Sequence, residues 1–309
     1  MPVLKWDTSS GQYLDLRTGL PISPGDPTYR PGFGTPVFRD DFTGDLSKWN
    51  VRNNFLTIDT ARAMASNATI ESGQLHLKGT WLTTPENAGP QGTITHLTGY
   101  VDTRNLADAA NPTPKHFSQQ YGRWEVRCKL PTGANTRGAL AAFWLRCDST
   151  PGEIDIMEAW GGGGTMAADW TNYIKDSAVT TFHSSTTSGT VNGKPYKKTM
   201  WRHWQHGVPK PLWGDWHVFA FEYMPTYIAT YVDGIQVMRV TPSSTDPMNG
   251  GTLAWLWDSD FFGSPMHIRT NLHVGPSPDY WGLPDPNNRQ WTVDPLDFVI
   301  DYIYAYAPE

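Results

Sequence analysis

The sequence is short of several things that define whole classes of protein. Its 309 residues include two cysteines, Cys128 and Cys147. A disulfide-stapled scaffold or a cysteine-built zinc site needs more. The pair is read as reduced core thiols, with a single bridge as the alternative. Charged residues make up 17% of the chain, against about 25% in an ordinary globular domain. The 24 Lys and Arg form no run, and the net charge is −6. Phosphate recognition needs grouped cations, so neither nucleic acid nor an anionic membrane is an expected partner. No apolar stretch approaches the roughly 18 residues that cross a bilayer, which argues against membrane insertion. The opening MPVLKWDTSSG shows neither the basic nor the apolar region of a signal peptide.

What the chain has in quantity is aromatic residues and turn formers: 15 Trp, 13 Tyr, 12 Phe, 29 Gly and 25 Pro. Turns are then frequent and long helices are excluded. Residues 19–36, GLPISPGDPTYRPGFGTP, are half Gly and Pro, too many for regular structure. Residues 1–36 are therefore expected to be an extended segment, either a strap on the surface or an arm that attaches the protein to a larger assembly. Residues 37–309 are expected to be one domain.

Within that domain short strands alternate with turn signals. In Tyr121–Leu130 the residues Trp124, Val126, Cys128 and Leu130 share one face, and Arg123, Glu125, Arg127 and Lys129 share the other. Period two marks a half-buried antiparallel strand. Gly138–Leu145 is nearly all apolar, as in a central strand covered on both faces. Further strands are expected at Ala178–His183, Trp216–Met224, Tyr227–Asp233, Met266–Val274 and Leu296–Tyr306. Asp233-Gly234 marks a two-residue hairpin. Many short antiparallel strands without a long repeat predict an all-β fold, a β-sandwich jelly roll of two antiparallel sheets. Residues 245–265 and 275–292, rich in Gly, Pro, Trp and Asp, read as long loops at a site rather than as core.

The most informative stretch is Pro151-Gly-Glu-Ile-Asp-Ile-Met-Glu-Ala-Trp160. In a strand Glu153 and Asp155 face one side while Ile154 and Ile156 face the core. Glu158 has the wrong parity to join them, unless one extra residue is inserted as a β-bulge at Ile156-Met157. Three carboxyl groups on one face repel, and at least one pKa must rise. Acid–base cleavage of a glycosidic bond needs that split, with one carboxylate ionised and one carboxyl protonated. A cation site built from oxygen ligands and a solvated acidic edge are the alternatives that spacing leaves open.

The motif Glu153-Ile-Asp155-Ile-Met-Glu158 resembles the bulged E-x-D-x-x-E signature of glycoside hydrolase family 16, the family of laminarinases, agarases and carrageenases. Around it, YGRWEVRCKLP at 121–131, AFWL at 142–145, WHVFAFEY at 216–223, YVDG at 231–234, NLHVG at 271–275 and VIDYIYAY at 299–306 resemble further family segments, in the family's order. The resemblance implies an open cleft on a jelly roll and an endo-acting, retaining hydrolase of a β-linked polysaccharide. A β-1,3-glucan is the first expectation and a galactan the second. It casts Glu153 as nucleophile, Glu158 as general acid/base and Asp155 as the supporting acid. Retention would place the two working carboxyl groups about 5–5.5 Å apart.

Sugar rings offer apolar faces to aromatic side chains and hydroxyls to polar ones. Trp144 and Trp160, on and just after the site strands, are candidate sugar contacts. The resemblance adds His183, Asn271 and Trp281. Arg269 shares a face with Asn271 and could bind an anionic or hydroxyl group. Core packing is the plain alternative for the tryptophans, and a hydrogen-bonded strand histidine is the alternative for His183. Some of Trp201, Trp204, Trp213, Trp255 and Trp257 are expected to touch sugar. No cofactor is expected in catalysis, though Asp301 matches a family position for a structural calcium.

Two departures from the family pattern bear on substrate: the four glycines 161–164, and the basic, aromatic segment 194–213, read as an insertion that makes a subsite wall for an acidic glycan, a lid or an oligomer contact. A transglycosylase of the same fold and a non-catalytic carbohydrate-binding jelly roll compete with the hydrolase. A polysaccharide substrate implies action outside the cell or at its surface. A phage tail protein attached through residues 1–36 would also fit.

Overall fold

In the computed structural model, residues 4–7, 12–15, 28, 30–56, 61–89, 92–105, 117–131, 136–161, 177–185, 189–204, 212–275 and 295–309 are described. Among them two large sheets face each other. The first runs Lys198–Trp204, Ser177–His183, Glu153–Trp160, Ala139–Cys147, Met266–Val274, Tyr100–Asp102, Asn50–Val51, with Ser118–Gln119 also pairing to Met266–Val274. The second is centred on Gly122–Lys129, flanked by Trp216–Met224 and Leu296–Tyr306. Its pairings are antiparallel except that of Ala61–Ala63 with Thr93–Thr98. The expected β-sandwich jelly roll is what the chain forms.

The alternation of residue type decides which way each strand faces. Ala141, Phe143 and Leu145 of one strand, Ile154, Ile156 and Met157 of the next, and Phe182 of the third point inward. They meet Trp124, Val126, Phe219, Phe221, Phe298, Ile300 and Ile303 of the opposite sheet. Burying side chains of this size at about 25 cal/mol per Å² holds the two layers together. Cys128 and Cys147 lie in different sheets, both buried and both free thiols. Asp233 and Gly234 take positive φ of 48° and 76°, the geometry of the tight hairpin turn that their sequence announces.

Two expectations change. Residues 245–265 are not cleft loops. They form a 3-10 turn, Leu253–Trp257, and a short helix, Ser259–Phe262, whose Leu253, Trp255, Leu256, Phe261 and Phe262 are core residues. Their aromatic content serves packing, with Trp255 Nε1 donating to Asp246 at 2.8 Å. Of the segment 194–213, the part Lys198–Trp204 is not an insertion hung on the fold but the edge strand of the first sheet, paired along Ser177–His183; residues 205–211 lie outside the described residues. Within the N-terminal segment Leu4–Asp7 pairs with Gln12–Asp15, so extended chain there folds back on itself. Arg30 bridges to Gly34 and is buried against Glu125 of the second sheet.

Candidate active site

The outward face of the first sheet carries the chemistry. The strand Glu153–Trp160 contains the expected bulge. Against Ala139–Cys147 its register runs Arg146↔Glu153, Trp144↔Asp155, Phe143↔Met157, Ala142↔Glu158, which leaves Ile156 without an opposite number. On the other side Asp155 faces Thr181 and Glu158 faces Val179, so Thr180 spans the extra residue. The Thr180 hydroxyl donates to the Ile156 carbonyl at 2.9 Å, satisfying a backbone acceptor that the bulge takes out of the ladder. Ile156 and Met157 both point into the core. Glu153, Asp155 and Glu158 therefore occupy successive outward positions, as if two residues apart. The strand ends where Gly161 passes the Thr136 carbonyl so closely that a Cβ would lie 1.8 Å from that oxygen. The first of the four glycines is thus demanded by contact; residues 162–164 lie outside the described residues.

The three acids have different surroundings. Glu153 is ion-paired with Arg146 at 2.9 Å. Asp155, 7% exposed, lies 3.3 Å from His183 Nε2; burial and the charge of Glu153 push its pKa well up. Glu158 accepts from the Thr181 hydroxyl. It forms no ion pair among the described residues, and burial together with the nearby Asp155 charge raises its pKa to about 7. His183 Nδ1 bonds the Tyr196 hydroxyl at 2.7 Å, and burial lowers its pKa. Ligand atoms of Glu153, Asp155 and His183 lie within 4.8 Å of one another, so this is also where a cation would find three donors.

Beside the acids, Trp144 leans toward the strand Met266–Val274. Its indole N–H donates to Asn271 Oδ1 at 2.8 Å, and the Arg269 guanidinium lies 4.7 Å from its ring centre. Register puts Asp155, Trp144 and Arg269 in one row across three strands. The next row is Glu158, Ala142, Asn271 and Tyr100.

The sequence profile of glycosyl hydrolases family 16 matches residues 102–276, more than half of the chain. The chain belongs to that family. It is 29% identical over 218 residues to a beta-glucanase of Rhodothermus marinus, covering 66% of this chain and 63% of that one. It is 25% identical over 301 residues to glucan endo-1,3-beta-glucosidase A1 of Niallia circulans, covering 88% of this chain and 38% of the relative. It thus spans less than two thirds of either relative's length. Among solved structures, the laminarinase catalytic domain of Thermotoga maritima MSB8 superposes with a TM-score of 0.62 at 23% identity, over 89% of this chain and 98% of that one.

On this family 16 sheet the candidate residues sort as follows. Trp144, His183, Asn271 and Arg269 sit with the acids on the outward face. Trp160 shares that face but is 4% exposed, packed with Leu140, Ala142, Val179 and Met200; it supports the site's floor rather than presenting a ring. Trp281 lies outside the described residues. Trp213 and Trp255 are core residues, Trp257 packs against the core, and Trp201 packs on Phe182 with its ring half-buried; the Trp204 side chain lies outside the described residues. Asp301 is on the second sheet, where its carboxylate receives Arg127 at 2.5 Å and Gln74 at 3.4 Å. Arg146, Thr181, Tyr196 and Tyr100 escaped sequence reasoning. Only Arg146 carried a signal, as the fourth outward position after Leu140, Ala142 and Trp144.

Proposed function

We propose that this chain is an endo-acting, retaining hydrolase of β-linked polysaccharide, and that its substrate is a β-1,3-glucan. The observation that carries the reading is the split between two glutamates one outward position apart from Asp155 on either side. Glu158 is half-buried, makes no ion pair among the described residues, and keeps its proton to about pH 7. Glu153 is held by Arg146. A protonated carboxyl beside a fixed carboxylate is what a double displacement on an acetal requires.

In that chemistry Glu158 protonates the leaving glycosidic oxygen while Glu153 attacks the anomeric carbon. The glycosyl-enzyme is then opened by water, whose proton returns to Glu158. Asp155 bridges the two. Its own raised pKa lets it hold a proton between Glu153 and His183, so the three acids need not carry three charges. The names of the two glucanase relatives favour a glucan, and the second relative's name favours internal cleavage of a β-1,3 linkage. A polymer of this kind is met outside the cell or at its surface, which is where we place the activity.

The test is release of reducing ends from laminarin, lichenan, agarose, porphyran, carrageenan and bacterial arabinogalactan, by wild type, Glu153→Gln and Glu158→Gln. Cleavage of laminarin that both substitutions abolish, with a β-anomer as first product by NMR, is expected. Cleavage of a galactan alone would replace the substrate. Binding without cleavage of any polymer would replace the hydrolase by a carbohydrate-binding protein.

A further inference from the structure

The strand Met266–Val274 carries a hydrogen-bonded relay that the acid chemistry does not use. Arg269 Nε donates to His267 Nε2 at 2.8 Å. A guanidinium can only donate, so this imidazole nitrogen must be the acceptor and the ring proton must sit on Nδ1. That nitrogen lies 2.7 Å from Asp148 Oδ1 and donates to it. His267 is 1% exposed, and burial lowers its pKa, consistent with a neutral ring of one fixed tautomer. Arg269 Nη1 donates to the Tyr100 hydroxyl at 3.1 Å, and the guanidinium plane is backed by Trp144. Held at Nε, at Nη1 and over its face, Arg269 is half-buried, and its Nη2 has no hydrogen bond among the described residues.

We propose that Asp148 and His267 are positioning residues that fix Arg269 as the donor of a sugar subsite, and that this subsite takes a neutral glycosyl unit. The inference rests on the glycan-hydrolase reading above. Register places Arg269 two strands from Asp155, on the order of 10 Å at the usual strand spacing, so the unit concerned is not the one being cut. Asn271 joins the same subsite. Its Oδ1 is taken by Trp144, which leaves the amide nitrogen as its donor toward this row. Neutrality follows from charge pairing. Arg146 is paired with Glu153, Arg52 with Asp102 at 2.6 Å, and Arg269 with Asp148 through the neutral ring. Lys198, a further cation of this face, stands beside His183 at the far edge of the sheet and acts on the acids rather than on Arg269. Among the described residues flanking Arg269 no formal charge is left over to attract a sulfate or carboxylate, while the donors of Arg269 and Asn271 suit hydroxyl oxygens.

The test is a binding cycle on the Glu153→Gln protein, read by calorimetry with laminarihexaose as neutral probe and a carrageenan hexasaccharide and hexagalacturonate as acidic ones. Arg269→Met should weaken laminarihexaose binding about tenfold, the usual worth of a charge-assisted hydrogen bond. His267→Phe should cost about as much. The double variant should be no worse than either single one, because both act through the same guanidinium. His267→Gln, which keeps an acceptor for Nε, should restore most of the affinity and shows that loss of fold is not the cause. Multiplied losses in the double variant, failure of Gln to rescue, or tighter binding of an acidic probe than of laminarihexaose would each overturn the proposal while leaving the hydrolase reading in place. Binding of none of the three probes by the parent would remove that reading, and the subsite with it.

Discussion

Two glutamates on the outer faces of the two sheets show how partners decide the use of a carboxyl group. Glu125, 0% exposed, accepts from Arg30 at 2.6 and 3.1 Å, from Arg123 at 3.0 Å and from Tyr302 at 2.9 Å. Burial would raise its pKa, but the charges of Arg30 and then Arg123 outweigh it and take it to about 2. Glu158 is half-buried; a hydroxyl bonds it and another acid stands near, the charges of His183 and Lys198 act more weakly, and its pKa moves to about 7. Desolvation acts in the same direction on both. Cations turn one into a permanent anion that ties residue 30 to the sheet. Their absence from hydrogen-bonding distance leaves the other with a proton to give.

The largest effect expected from this contrast is on catalysis. Glu158→Gln should lower kcat on the polymer that wild type cleaves by about 10²–10⁴-fold, the range of a lost general acid, whereas Glu125→Gln should leave kcat per folded molecule within about twofold. Comparable losses in both would mean that the two glutamates do not differ in role.

Stability should respond the other way round. Glu125→Gln takes a shared counter-charge from the buried guanidinium groups of Arg30 and Arg123 and should cost about 3–5 kcal/mol in denaturant unfolding at pH 7. The folded pKa of Glu125 lies below its ordinary value of 4.5, so its contribution is present above pH 4.5. The gap between wild type and variant should close as pH falls from there toward 2. Glu158→Gln should stabilise. The folded pKa lies above 4.5, so wild type loses stability as pH rises from 4.5 to about 7, and a neutral amide does not. A gain of about 1–3 kcal/mol at pH 8, vanishing near pH 4.5, is expected in thermal or denaturant unfolding. No gain at pH 8 would show that Glu158 is already charged at no cost.

Half of this contrast is legible in the sequence. Period-two patterning delimits Met266–Val274 at its observed ends, because one apolar face and one polar face leave a single register; Trp216–Met224 and Leu296–Tyr306 are legible as apolar runs between turn signals. The bulge is legible too, since Glu158 has the wrong parity and Ile156-Met157 gives two adjacent apolar residues to hide. What cannot be read is which residue from another strand comes to rest beside each acid. Thr181 reaches Glu158 from 23 positions away and Arg30 reaches Glu125 from 95. Those distances along the chain are set by loop lengths and sheet order, not by local pattern. The aromatic segment 245–265 misleads for a related reason: Trp in Gly- and Pro-rich sequence suggests a binding loop, and only the packing of Trp255 and Phe262 under the second sheet shows it to be core.

The finest test of the comparison is Thr181→Val. The Thr181 hydroxyl donates to Glu158, and a donor favours the charged form of a carboxyl group. It therefore works against the burial and the Asp155 charge that raise the Glu158 pKa, acting as a weak version of what Arg30 and Arg123 do to Glu125. Valine keeps the shape and removes the donor. The basic limb of kcat/KM, set by loss of the Glu158 proton near pH 7, should then move upward by about half to one pH unit, with the acidic limb unmoved. The reverse substitution of logic, a cation brought to Glu158 by Val179→Lys from the facing register position, should drive the same limb down. If neither variant moves the basic limb, the group that titrates there is not Glu158, and Asp155, the other acid with a raised pKa, becomes the proton donor to test.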